Sequence, residues 1–185
     1  MKKWLALCAS GLLLGFEVAA NEYQTTIEQF QSSSSTTEFF DNAYGYAVFP
    51  TIGKGGIGLG GAYGEGQVYL AGRTTGGVNM IQISLGFQLG GQAFSQIIFL
   101  QDKRAYDAFT AGSFEFGAQA SAVALTYGTS AQAGSTGTGA ALGKQQSKAN
   151  YVGGFAIFTL TKGGLMYEAS IAGQKFNFKA AKRDN

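Results

Sequence analysis

From residue 44 onward the chain alternates apolar and small residues with a period of two. Tyr44, Tyr46 and Val48 fall on one side of an extended segment and Gly45, Ala47 and Phe49 on the other, with Pro50 as its expected end. Ile57, Leu59 and Gly61 follow with glycines between them, and residues 67–73, 78–89, 93–100 and 114–127 read as further strands. Residues 129–150 form a Gly/Ser/Ala/Gln stretch with little to bury, which predicts a flexible loop, and strand texture returns over 151–179. Two regions carry helical spacing instead. Near the N-terminus, Ile27 and Phe30 at i and i+3 precede Phe39 and Phe40, with the serine run 32–35 as a break. Ser35-Thr36-Thr37-Glu38 has the capping-box spacing and predicts the start of a second short helix there. In mid-chain, Asp102 can cap a helix whose face carries Ala105, Tyr106 and Phe109, with Gly112 as its stop. The expected fold class is α+β, mainly antiparallel β. It is a Gly-bent β-sandwich or partly closed barrel, with two short N-terminal helices packing Ile27, Phe30, Phe39 and Phe40 onto the sheet and one short mid-chain helix.

Residues 1–20 have a different texture. Lys2 and Lys3 precede an apolar run over 4–16, and Val18-Ala19-Ala20 places small residues where a signal peptidase reads them. The run is short of the roughly 20 residues that a transmembrane helix needs. A lipoprotein signal centred on Cys8 would want a small residue before the cysteine, and Leu7 is large. The reading is therefore a cleaved signal peptide over 1–20, a single domain over 21–185 and export to a periplasm. The lone Cys and the lone Trp leave with the signal, so the exported chain would hold its fold through its core, without disulfides.

Composition narrows the chemistry. The 185 residues include 29 Gly, one Pro and no His, which excludes Ser-His-Asp catalysis, histidine zinc sites and an imidazole pH switch. Charged residues make up 13%, and the formal net charge of +2 gives no footprint for nucleic acid. The charges are nonetheless polarised. Residues 21–112 hold four basic and seven acidic side chains, and residues 113–185 hold seven basic and three acidic.

Gly45-Tyr46-Ala47-Val48-Phe49 recurs as Gly154-Phe155-Ala156-Ile157-Phe158, and each copy leads into Lys-Gly-Gly: Lys54-Gly55-Gly56 and Lys162-Gly163-Gly164. Read as turns, these glycines would let backbone N–H groups converge on an anion, with the lysine adding charge. A plain β-turn with an exposed lysine is the competing reading. A basic C-terminal segment, Lys175, Lys179, Lys182 and Arg183 with Phe176 and Phe178 between, can likewise meet anionic lipid or be a last strand with a solvated tail. Gly56-Ile57-Gly58-Leu59-Gly60-Gly61 satisfies G-x-G-x-x-G, but Ala62-Tyr63-Gly64-Glu65-Gly66 cannot open a helix well and no carboxylate lies in 79–83, so a Gly-bent strand is expected. Asp41, Glu65, Asp102, Asp107, Glu115 and Glu168 are the carboxylates considered as acids or bases, and outward-facing strand positions account for Glu115 and Glu168. No catalytic, metal or cofactor site is expected.

The segments 43–50, 53–56 and 60–62, then 86–92 and 114–121, then 163–168 and 173–176, resemble in order the SYLF domain, over about 22–179. That resemblance implies a non-enzymatic lipid-binding module. Eukaryotic relatives bind phosphoinositides and some bind actin, and bacterial relatives are exported single-domain proteins. The eukaryotic amphipathic N-terminal helix has no counterpart in the acidic, Ser/Thr-rich segment here. What carries over is affinity for phospholipid or another anionic amphiphile at a membrane surface. The phosphate would be held by the two Lys-Gly-Gly segments, the C-terminal cations, or both. A small outer-membrane β-barrel and a structural envelope or assembly protein are the alternatives.

Overall fold

A computed structural model describes residues 21–57, 59–85, 91–116, 124–127, 151–162 and 173–182. The expected signal segment 1–20 and loop 129–150 lie outside them, as do Gly163, Gly164 and Arg183. The elements in chain order are α1 (residues 21–31), α2 (Ser34–Asn42), β1 (Gly45–Ile57), β2 (Leu59–Leu70), β3 (Arg73–Leu85), β4 (Gln92–Leu100), α3 (Lys103–Thr110), β5 (Ser113–Glu115), β6 (Ala124–Tyr127), β7 (Phe155–Lys162) and β8 (Gln174–Ala180). The strands form one sheet in the order β5-β8-β3-β2-β1-β4-β7-β6, antiparallel throughout except for the parallel β6–β7 pair. The sheet is mainly antiparallel and curls into a half-barrel, so the partly closed barrel is realised and the two-sheet sandwich is not.

Contacts across the interior show how tight the curl is. Gln96 of β4 and Gln174 of β8 exchange side-chain hydrogen bonds of 3.0 and 3.3 Å. Four strand spacings separate these strands, about 19 Å in a flat sheet. Phe49 of β1 and Phe176 of β8, three spacings apart, bring their rings to 5.7 Å. Glycines on the inner face of β2 make room for this bend. A Cβ on Gly64 would stand 2.5 Å from Ile52 Cγ1, and one on Gly66 2.6 Å from the Phe49 ring. The inner core runs from Phe176 through Met80, Val68, Phe49, Phe94 and Ile98 to Ile157. Helix α3 closes it with Ala105 and Phe109. Its start follows the expected chemistry: Asp102 accepts a hydrogen bond from Ala105 N at 2.8 Å.

The outer face is buried as well, over half the sheet. Val48, Ile97, Phe99, Ala156 and Phe158 point outward from β1, β4 and β7 and pack under Ile27 and Phe30 of α1 and Phe39 of α2. Phe39 meets Phe99 at 5.5 Å and Phe158 at 5.0 Å, and Phe40 meets Phe99 edge-on at 4.9 Å. The expected seating of the N-terminal aromatics on the sheet is what the structure shows.

Four local expectations are corrected. Strand β1 does not end at Pro50 but runs on to Ile57 between two partners. The proline sits where the register shifts against both neighbours, so its missing N–H costs no ladder bond, and its carbonyl accepts from Ser95 Oγ at 2.7 Å. Helix α2 starts at Ser34, with Ser33 rather than Ser35 in the N-cap position and no side-chain cap bond. The Thr36 hydroxyl is drawn instead to Phe30 O and Ser33 O, which ties α2 to the end of α1. The repeated pentapeptides are not equivalent. Ala47 lies opposite Ile98 and Ala156 opposite Phe99, a one-residue offset that puts Ala47 in the inner core and Ala156 in the outer one. Finally, Lys54-Gly55-Gly56 is not a turn. All three residues are paired within β1, opposite Ala62, Gly61 and Gly60, and this places no N–H nest there.

Two tests follow. Gly66→Ala forces a methyl into the Phe49 ring and should cost about 1–3 kcal/mol in urea unfolding. Gly77→Ala meets no atom closer than Gly66 O at 4.0 Å and should be neutral or stabilise by about 0.5 kcal/mol. A larger loss at Gly77 than at Gly66 would contradict the packing described. Tyr151 gives the second test. Its hydroxyl is buried without a hydrogen-bond partner among the described residues, and burial, then the Glu38 charge, pushes its pKa up to about 12. The unfolded chain therefore gives up this proton first as pH rises. The tyrosine's contribution to stability is full below pH 10 and is lost between 10 and about 12. Tyr151→Phe should leave stability at pH 7 unchanged or slightly raised, and should remove one late step from the alkaline tyrosinate absorbance titration.

Candidate functional site

The helices do not cover the outer face of β2, β3 and β8 in the same way, and the residues there are of another kind. Cross-strand partners point to the same side of a sheet, so the register assembles this face in rows. One row is Tyr63, Ile81, Lys175 and Glu115; the next is Glu65, Asn79, Asn177 and Ser113; a third is Gln67, Gly77 and Lys179. Beside the first row stands Ile83, opposite Gly61. Ile83 is 71% exposed, Tyr63 49% and Ile81 42%, three of the large apolar side chains that the described residues leave most open to solvent. Apolar residues therefore gather toward one end of this face and polar ones toward the other, with exposed Lys175 and Lys179 between and beside them.

The polar end is concave. Tyr23 of α1 overhangs a cleft of about 310 Å³ lined by Glu65, Gln67, Gly77, Asn79, Asn177 and Lys179. Helix α1 is held at this edge by Thr51 Oγ1, which donates to Glu22 Oε1 at 2.8 Å, and by Tyr23 packing against the outer core. Gly77 makes the depth, because it stands between Gln67 and Lys179 in its row and carries no side chain. Glu65 Oε1 accepts from the Tyr63 hydroxyl at 2.8 Å, and Gln67 Oε1 from the Tyr69 hydroxyl at 2.8 Å. Asn79 Oδ1 is buried in the wall with no hydrogen-bond partner among the described residues. An acceptor left in that state costs about 1–3 kcal/mol. Burial, then the charge of Glu65, pushes the Tyr23 pKa up to about 12, so its hydroxyl keeps its proton and can donate.

The residues singled out from the sequence are dispersed. Lys54 is half-buried and shares the face of Ala62, an inner-core residue, so it lies on the opposite side of the sheet from the cleft. Gly55 and Gly56 continue β1 toward the hairpin with β2. Lys162 ends β7 opposite Ala93, one register position from the Lys54–Gln92 pair, so the two lysines do share one end of the sheet. Lys175 and Lys179 occupy the outer face of β8, and exposed Lys182 follows that strand. Phe176 and Phe178 do not join them there: both turn inward to the core, so aromatic and cationic side chains of this strand face opposite ways. Among the carboxylates, Glu115 lies opposite Lys175, Asp102 caps α3 and Asp107 pairs with Lys103 at 2.6 Å. Glu168 lies outside the described residues.

Tyr23, Gln67, Gly77, Asn79 and Asn177 went unnoticed in the sequence. The signal available was one polar residue between apolar neighbours, as in Val78-Asn79-Met80 and Phe176-Asn177-Phe178. That pattern marks an outward position but does not say which outward positions α1 overhangs.

The Ysc84 family, described as Las17-binding protein actin regulator, matches residues 81–182. The chain is also similar to beta cell expansion factor A of Aeromonas veronii, 30% identical over 155 residues, which is 81% of this chain and 51% of that protein. It thus spans about half the length of that curated relative. By the match over its C-terminal half, which includes β4, α3, β7 and β8, the chain belongs to the Ysc84 (SYLF) family.

Proposed function

We propose that the protein is a non-enzymatic, phospholipid-binding protein of the periplasm that meets a membrane surface with the outer face of β2, β3 and β8. Family membership supports a lipid-binding role, and the observation that carries this particular surface is the exposed group Tyr63, Ile81 and Ile83 beside Lys175. Apolar side chains that reach into the interfacial layer, flanked by cations that meet phosphate, are the two attractions that hold a protein to an anionic bilayer. Lys179 and Lys182 extend the cationic border. Export rests on the signal-like residues 1–20. The non-enzymatic part of the proposal is supported by the lack of histidine and, among the described residues, by the roles of Asp102 as the cap of α3 and of Asp107 as the partner of Lys103.

This reading moves the phosphate contacts away from Lys54, whose strand pairing faces it inward, to the last strand. It also differs from an outer-membrane barrel. Such a barrel needs an apolar outer belt around its whole circumference. Here α1 and α2 cover the outer side of β1, β4 and β7, and Glu65, Gln67, Asn79 and Asn177 occupy that of β2, β3 and β8.

Vesicle co-sedimentation tests it. Binding should rise with the fraction of anionic lipid and weaken with added salt. Ile81→Ser with Ile83→Ser should lower affinity about tenfold or more, since each isoleucine buried is worth about 1.5–3 kcal/mol. Lys54→Ala should change it less than about twofold, on the scale of one remote surface charge. Equal loss in both variants, or none in the isoleucine pair, contradicts the surface assigned.

A further inference from the structure

The cleft under Tyr23 is distinct from the apolar patch beside it, and its hydrogen-bonding inventory describes what it takes. At one end stand acceptors: the unpartnered Asn79 Oδ1 and the Glu65 carboxylate in the same row. At the other stands the Lys179 ammonium, next to the bare backbone of Gly77. A phosphodiester alone does not satisfy this arrangement, because it brings acceptors to Lys179 and no donor to Asn79. A free phosphate that donates through a P–OH still sets its negative charge toward the Glu65 carboxylate. A ligand that fits carries an anion at one end and an N–H donor, preferably cationic because of Glu65, at the other.

We propose that this cleft receives a phosphodiester bearing a primary ammonium, an ethanolamine-type headgroup, with its phosphate over Gly77 beside Lys179 and its ammonium toward Asn79 and Glu65. The inference rests on the phospholipid reading and specifies its headgroup. The scale agrees. Gly77 and Asn79 are successive outward positions of β3, about 7 Å apart along a strand. A two-carbon linker with a hydrogen bond at each end covers that step. Tyr23 lines the same cleft and feels the charge of Glu65, so its hydroxyl oxygen can accept a further hydrogen bond from the ammonium. A Cβ on Gly77 would meet no atom closer than Gly66 O at 4.0 Å, so the space over this residue is open to a phosphate.

Choline supplies the control, since its quaternary ammonium has the same charge and no N–H. Soluble glycerophosphoethanolamine and glycerophosphocholine are titrated into the protein and followed by amide NMR. In parallel, vesicles matched in anionic lipid carry either ethanolamine or choline lipid as the neutral remainder. The ethanolamine compound should bind about tenfold tighter or better in both formats, the scale of one charge-assisted hydrogen bond. Gly77→Val, compatible with a strand and with the open space at that Cβ, should abolish the preference while anionic vesicles still bind. Asn79→Leu should do the same.

If the soluble pair is discriminated and vesicles do not bind, the cleft stands as a site for a free phosphoethanolamine-type solute and the membrane reading falls. Equal binding of the two headgroups, or a preference that survives Gly77→Val, overturns the cleft assignment even if vesicles bind.

Discussion

The architecture depends on the two-sided burial of β1, β4 and β7. These strands carry apolar side chains at successive positions: Ala47, Val48 and Phe49 in β1, and Ile97, Ile98, Phe99 and Leu100 in β4. A strand of that kind must be covered on both faces, or several kcal/mol of apolar burial is forgone. The inner cover is the sheet itself, curled until Gln96 reaches Gln174 and closed by α3. The outer cover is α1 and α2, with Phe39 seated on Phe99 and Phe158 and Phe30 buried in the same cluster. Strands β2, β3 and β8 obey another rule: their inner residues are mostly apolar, with Gln82 and Gln174 as buried polar exceptions, while their outer residues mix apolar, polar and charged side chains. The N-terminal helices accordingly stop short of them. The edge of α1 becomes the overhang of a cleft, and the face beyond it is left to meet something outside the molecule.

The same division explains how one surface can hold both a greasy patch and a polar pocket. Along β3 the outward residues change from Ile83 and Ile81 to Asn79 and Gly77 within four positions. Along β8 the outward residues are Lys175, Asn177 and Lys179. Cross-strand pairing then sets the isoleucines beside one lysine and the glycine beside another. Along these two strands the acceptor row of Glu65 and Asn79 lies next to the apolar patch, and the row of Gly77 and Lys179 lies beyond it.

Much of the fold was legible in the sequence because it is written in local patterns. The period-two alternation of Tyr44 to Phe49, the Asp102 cap and the i, i+3 pair Ile27 and Phe30 each express a preference that needs no distant partner. What escaped detection depends on pairing across the sheet. Pro50 ends a strand by every local rule and is carried through only because bulges against both neighbours leave its missing N–H without consequence. The repeated pentapeptide looks like a duplicated unit until the register on β4 shows the copies offset by one residue and hence on opposite faces. Lys-Gly-Gly suggests a turn by composition, yet Gly55 and Gly56 find partners in Gly61 and Gly60. The candidate site was hidden for a similar reason. Of the ten residues that the sequence singles out, Gly163, Gly164 and Arg183 lie outside the described residues. Among the other seven only Lys179 lines the cleft, because lysines draw attention by charge, whereas Asn79 and Gly77 gain meaning only from what stands beside them.

The central claim is that the face the helices leave open is the one that meets lipid. The most direct measurement attaches an environment-sensitive fluorophore, one protein at a time, through Ile83→Cys on that face and through Asp107→Cys on the exposed side of α3. On adding anionic vesicles the label at position 83 should shift to the blue and become accessible to lipid-borne quenchers, while the label at 107 should stay as it is in water. A shift at 107 with none at 83 would contradict the account.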